Sequence, residues 1–206
     1  MPRGTLPAEP LTREEVMGLL KAASARAPTG VRNRALVVLL WRAGLRISEA
    51  LALMPKDLDA TEGTIRILRG KGAKSRITPL DPESFAVIEK WAAMREKLGI
   101  SARRTLICTL KGTPVQTAYV RALLPRLAKR AGITKRCHPH GLRHSYACDL
   151  RREGVDVGVI SKALGHSHIS TTSLYLDHIS PKLVIDTLRN RTWGGVEAVG
   201  ARTSTA

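Results

Sequence analysis

The sequence predicts an α+β domain that is mostly helical and carries one small antiparallel hairpin. Apolar residues recur at helical spacing through most of the chain, and a glycine-rich turn, Gly70–Gly72, is flanked by two short β-type segments. The chain has 206 residues, 43% of them hydrophobic, enough for one core of ordinary size. Residues 1–10 are rich in proline and are expected to be loose. Residues 11–191 form the folded domain, and 192–206 read as a flexible tail.

Each element follows from local signals. Thr12 with Glu15 makes a capping box, and Val16, Leu19, Leu20 and Ala23 follow at helical spacing. A second helix is expected from Arg32 to Ala43, stopped by Gly44, a residue suited to the left-handed position after a helix. A short helix starts near Ile47 or Ser48 and ends before Pro55. Thr64–Leu68 and Arg76–Thr78 read as the hairpin strands. Pro82–Lys97 is helical, with Phe85, Ile88 and Ala92 inward, and Thr105–Thr109 reads as a third strand. Thr117 is expected to cap a helix whose Val120, Leu123, Leu124, Leu127 and Ala131 share a face, with a kink at Pro125. Beyond it, helices are expected at about 140–152, 156–164, 171–177 and 182–190.

Charge narrows the partner. Lys and Arg outnumber Asp and Glu 34 to 17, a formal charge of +17, which is the footprint of a polyanion binder. The three cysteines, Cys108, Cys137 and Cys148, are odd in number and too far apart for a paired metal motif. A disulfide framework is therefore not expected, and a reducing cytoplasm is the default. The N-terminus lacks an apolar signal core, and the longest clean apolar run, Ala35 to Trp41, is too short to span a bilayer. The chain reads as soluble, with no membrane partner.

Five motifs then stand in one order: Gly44–Glu49 (GLRISE), Gly70–Arg76 (GKGAKSR), His140–His144 (HGLRH), Leu164–Ser167 (LGHS) and Tyr175. Together they supply the parts for metal-free attack on a phosphodiester. Such attack builds negative charge on the equatorial oxygens and on the leaving oxygen. Arg46 and Arg143 can each offer two parallel donors to a non-bridging oxygen. His140 and Arg143, three apart, share a helix face. His166 follows Gly165, which permits a tight turn toward the same phosphate. Tyr175 offers a nucleophilic oxygen, and Lys71, between two glycines, can protonate the departing one. Arg66, Arg69, Lys71, Lys74 and Arg76 put five cations near that turn with no acid among them, a density suited to DNA backbone contact.

Each fragment has a plainer reading. A basic hairpin is more often a solvated edge. Arg46 with Glu49 forms a structural ion pair in many helices. Tyr119 and Tyr146 read as core or interface tyrosines, and Tyr175 alone would too. His138, His140, His144, His166 and His168 suggest a metal cluster, but the carboxylates of a two-metal nuclease are absent from those segments. No metal and no cofactor are expected. What outweighs the plain readings is the joint occurrence in order.

On these motifs the chain resembles the catalytic domain of the tyrosine recombinase (phage integrase) family, from about Leu11 to Arg191. The resemblance implies a site-specific DNA recombinase that cleaves and rejoins strands through a covalent 3′-phosphotyrosyl link, without metal or ATP. It implies that Arg46 and Arg143 are the catalytic arginines and Lys71 the general acid. His140 becomes the base-like histidine, His166 the second phosphate-binding histidine and Tyr175 the nucleophile, with Glu49 and His144 in support. Arg66, Arg69, Lys74 and Arg76 are expected to contact DNA. The partners implied are double-stranded DNA and further copies of the chain, a tetramer formed only on DNA, in the cytoplasm at the nucleoid and in a mobile-element setting. Family members also carry a helical DNA-binding domain ahead of this region, closing a clamp. Only 45 residues precede Arg46 here, so that domain is expected to be missing or supplied by a second protein.

Overall fold

The computed structural model describes residues 9–68 and 75–165. Seven helices and a three-stranded sheet lie within them. Helix α1 (Arg13–Ala22) starts with the expected reciprocal box: the Thr12 hydroxyl accepts from the Glu15 N–H, and Glu15 accepts from the Thr12 N–H. Helix α2 spans Pro28–Trp41. It begins four residues earlier than the periodicity suggested, because Pro28 stands at the first turn, where a missing N–H costs nothing. Gly44 then takes the left-handed conformation, φ +58°.

Helix α2 is the centre of the molecule. Val31 and every residue from Ala35 to Trp41 are buried, with α4 (Pro82–Lys97) packed on one side and α6 (Pro139–Arg152) on another. Leu36, Leu39 and Leu40 are wholly enclosed, and truncating any one to alanine would cost about 2–5 kcal/mol. The Trp41 indole donates to the Asp149 carboxylate of α6 at 2.8 Å, which satisfies the one polar atom that the buried ring carries.

Short α3 (Ile47–Ala52) and a 3-10 turn (Pro55–Asp57) lead into the sheet. Its strands are β1 (Leu58–Asp59), β2 (Thr64–Ile67) and β3 (Arg76–Pro79), antiparallel in the order β1-β2-β3, with Ile65 opposite Thr78 and Ile67 opposite Arg76. The third strand is thus Leu58–Asp59, not Thr105–Thr109. Within 105–109 the only pairing is a single bridge from Cys108 to Pro114; Leu106, Ile107 and Cys108 are buried, so this apolar run fills the core as irregular chain. The Trp91 indole N–H of α4 donates to the Leu106 carbonyl, and the buried Arg95 guanidinium donates to the carbonyls of Ser101, Arg104 and Thr105. These bonds replace a strand ladder. Trp91 rather than Ala92 is the fully buried residue at that level of α4.

Helix α5 (Thr117–Arg130) starts after Gln116, whose side chain makes no cap bond, so Thr117 is its first residue and not its cap. It runs on through Pro125, which sits on the exposed side where the freed carbonyl meets water. Helix α6 is capped by His138, whose Nδ1 accepts from the Gly141 N–H at 3.1 Å. Helix α7 (Val157–Leu164) is capped by Asp156 and closed by Gly165 at φ +63°. The helices expected at 171–177 and 182–190 lie outside the described residues. No helix among the described residues is long and apolar enough to cross a membrane.

Candidate active site

Two turns and one helix bring the first group of motif residues together. Gly44 reverses the chain after α2, so Arg46 becomes the residue that precedes α3. Glu49, in the first turn of α3, reaches back and accepts from the Arg46 backbone N–H at 2.8 Å and from Arg46 Nη1 at 3.0 Å. The plain reading of this pair as a helix-end ion pair is therefore correct as geometry. It does not consume the arginine: the Arg46 side chain remains 34% exposed, while that of Glu49 is 2% exposed.

Arg143 comes from α6 and is buried. Its Nη1 donates to the Gly44 carbonyl and its Nη2 to the Leu164 carbonyl, and Nη1 lies 3.9 Å from Glu49 Oε2. Arg46 Nη2 approaches the neighbouring carbonyl, Gly165 O, at 3.4 Å. The two arginines thus meet at one carboxylate and at one turn, Leu164–Gly165, directly ahead of His166 in the chain. Gly165, the residue before His166 in the chain, takes the left-handed conformation, φ +63°.

Arg76, from β3, completes the group. Its Nη1 and Nη2 donate to Glu49 Oε1 and Oε2 at 3.0 and 2.8 Å, the fork-on-carboxylate arrangement. Burial alone would raise the Glu49 pKa. The Arg76 fork, the Arg46 N–H and the Arg46 side chain more than offset it and hold the group at about 2. Glu49 is therefore a fixed anion at neutral pH.

His140 lies one helical turn before Arg143 and opens to solvent. Partial burial lowers its pKa, and so do the charges of Arg143, His138, His144 and Arg46. A neutral imidazole in a cationic setting can accept a proton. The His138 and His140 rings stack with centroids 6.4 Å apart and planes 12° apart. His144, a turn further along α6, is buried. Beside His140 a groove of about 890 Å³ is lined by Arg121, Lys129, Lys135, Arg136 and His138. A groove edged by cations in this way suits a polyanion.

Of the other sequence candidates, Arg66 is exposed on β2. Arg69, Lys71, Lys74, His166 and Tyr175 lie outside the described residues. Tyr146 is buried, and the Tyr119 hydroxyl is held by Arg32 and Asn33, so both have structural tasks. Among the described residues no group of three His, Cys, Asp or Glu is placed to hold a metal ion. Sequence reading missed the pairing of Arg76 with Glu49. A single sequence does not reveal that Glu49 is buried and so in need of a second cation besides Arg46.

The fold and this cluster define the class, and direct comparison agrees: the chain belongs to the phage integrase family, whose profile matches residues 9–180. Tyrosine recombinase XerC of Thermodesulfovibrio yellowstonii is 34% identical over 181 residues, 85% of this chain and 60% of that protein. Tyrosine recombinase XerA of Thermococcus kodakarensis is 41% identical over 169 residues, 80% of this chain and 56% of that protein. The chain therefore spans about three fifths of the length of the curated relatives it matches. Among solved structures, the XerA recombinase superimposes with a TM-score of 0.79 at 26% identity, covering 94% of this chain and 67% of that one. The XerH site-specific recombinase in a post-cleavage complex with a palindromic difH substrate gives 0.75 at 29% identity, over 87% and 52%.

Proposed function

We propose that this chain is the catalytic domain of a tyrosine-type site-specific recombinase that cleaves and rejoins double-stranded DNA. The Tyr175 hydroxyl attacks a phosphorus and forms the new P–O bond while its proton passes to His140. Arg46 and Arg143 stabilise the charge that gathers on the non-bridging oxygens, with His166 as a further donor. The P–O5′ bond breaks as Lys71 delivers a proton to the departing 5′ oxygen. The product is a 3′-phosphotyrosyl ester and a free 5′-hydroxyl, at the same phosphate oxidation level and with the ester bond conserved. A second 5′-hydroxyl reverses the sequence on another strand, so neither ATP nor a metal is required. DNA is engaged chiefly through phosphates, by the basic groove, Arg66, Arg69 and Lys74, and strand exchange takes place in a tetramer assembled on DNA.

The observation that carries this reading is the convergence of Arg46 and Arg143 on Glu49 and on the Leu164–Gly165 turn, with His140 one helical turn from Arg143. Arg46 presents the partly open fork, and the buried Arg143, bonded to the Gly44 and Leu164 carbonyls, adds its charge directly behind that turn, a cationic corner suited to a single phosphate. A nicked suicide substrate is the test. Wild-type protein should be trapped as an SDS-stable adduct, and Tyr175→Phe should bind DNA with little change but yield no adduct. An adduct that survives Tyr175→Phe, or that disappears instead with Tyr119→Phe, would overturn the reading.

A further inference from the structure

Arg76 enters from the sequence as one of five cations near a glycine-rich turn, an expected DNA contact. Its surroundings give it different work. Both terminal nitrogens are taken up by Glu49, at 3.0 and 2.8 Å, and its side chain is only 14% exposed. Its Nε is buried and has no acceptor among the described residues, so no part of the guanidinium is presented outward as a free fork. With the two bonds from Arg46, the two from Arg76 bring the Glu49 carboxylate to about four, its full accepting capacity.

The other face of the same guanidinium lies on Gly165. A Cβ added at Gly165 would stand 3.1 Å from Arg76 Nη1 and 3.3 Å from its Cδ and Cζ. Arg76 therefore touches three things at once. It is the first residue of β3, the strand that follows the Lys71 segment in the chain. It holds the carboxylate that orients Arg46, and it backs the turn that precedes His166. Resting on the function proposed above, we infer that Arg76 is a positioning residue: through Glu49 and the face of Gly165 it registers the strand after Lys71, the Arg46 fork and the turn before His166 against one another. A misplacement of about 1 Å at groups of this kind costs on the order of 10²-fold in rate.

The two roles separate in measurement. A phosphate contact, when removed, weakens binding on all sequences and lowers the slope of log affinity against log salt by about one. A positioning residue leaves that slope alone and slows cleavage. Arg76→Gln should therefore bind DNA with the wild-type salt slope and form the Tyr175 adduct about 10²-fold more slowly. Combined with Glu49→Gln, it should add little further loss, because both changes break the same pair. Arg76→Lys should recover part of the rate, since an ammonium keeps the charge but cannot span both carboxylate oxygens. Arg76→Lys also serves the same comparison if the glutamine variant does not fold, as judged by its melting transition. A salt slope lowered by about one, or losses that multiply independently with Glu49→Gln, would overturn the inference. Failure of wild-type protein to form any adduct would instead overturn the proposed function, so the two failures are told apart by the wild-type arm.

Discussion

Gly44 lies face to face with the ring of Tyr146: a Cβ on that glycine would fall 2.4 Å from Cδ1 and 2.6 Å from Cε1. The contact places α6 against the turn that leads to Arg46, and the Gly44 carbonyl accepts from Arg143 at the same place. The position tolerates only glycine, both for space and because its φ is +58°.

Gly44→Ala should therefore destabilise the protein by about 2–5 kcal/mol, the left-handed backbone and the ring clash acting together. Urea denaturation measures this. Tyr146→Ala removes the clash but not the backbone strain, so Gly44→Ala should cost less in the Tyr146→Ala background than in wild type, although Tyr146→Ala is itself destabilising. A Gly44→Ala protein within about 0.5 kcal/mol of wild type would remove the glycine from this role.

Glu49 sets an acid limit on stability. Its pKa is depressed from 4.5 to about 2 in the folded protein. The stabilisation is complete above pH 4.5 and is lost as pH falls through that value toward 2, where the folded-state group also takes up its proton. The contribution is on the order of 3 kcal/mol. Denaturation between pH 7 and pH 3 should show wild type losing stability faster than Glu49→Gln below pH 4.5. Parallel curves for the two proteins would contradict the assignment.

Arg46 and Arg143 should fail differently. Arg46 is partly exposed and Glu49 keeps the Arg76 fork without it, so Arg46→Ala should change stability by no more than about 1 kcal/mol. Arg143→Ala abandons the buried carbonyls of Gly44 and Leu164 and should cost about 2–5 kcal/mol. Both should slow adduct formation by about 10²–10³-fold. Melting temperatures read beside single-turnover rates separate the effects, and equal stability losses would show that the burial of Arg143 carries no weight.

Lys71→Ala should slow cleavage on ordinary DNA and regain most of the rate when the leaving 5′ oxygen is replaced by sulfur, because a thiolate leaves without a proton. Chelation with EDTA should leave both rates as they were. No recovery on the sulfur substrate would take Lys71 out of the general-acid role, and loss of cleavage on chelation would bring a metal into the reaction.

Where local chemistry decides, the sequence was readable. The Thr12–Glu15 box, the left-handed Gly44 and Gly165, the bounds of α4 and the hairpin strands all follow from near neighbours in the chain. Where distant packing decides, local pattern carries no signal. Leu106–Cys108 has the composition of a strand, but its carbonyl and amide partners come from Trp91, Leu53 and Val115 rather than from a neighbouring strand. Arg76 shares its charge with its sequence neighbours, while its partner Glu49 lies 27 positions away. The motif residues Arg46, His140 and Arg143 stand out in the sequence because phosphate chemistry restricts residue type. What anchors them, two backbone carbonyls and a shared acid, leaves no pattern in composition or spacing.

The enclosure of α2 has a dynamic consequence. A helix wrapped on nearly every side cannot open by fraying one face; releasing it means dismantling the packing of α4 and α6 as well. Its C-terminal end hands directly to Gly44, whose carbonyl holds Arg143, and then to Arg46. The arginine pair therefore shares the opening free energy of the whole cooperative unit. Backbone openings that would displace the points from which the two arginines project require the packing of α4 and α6 to give way first.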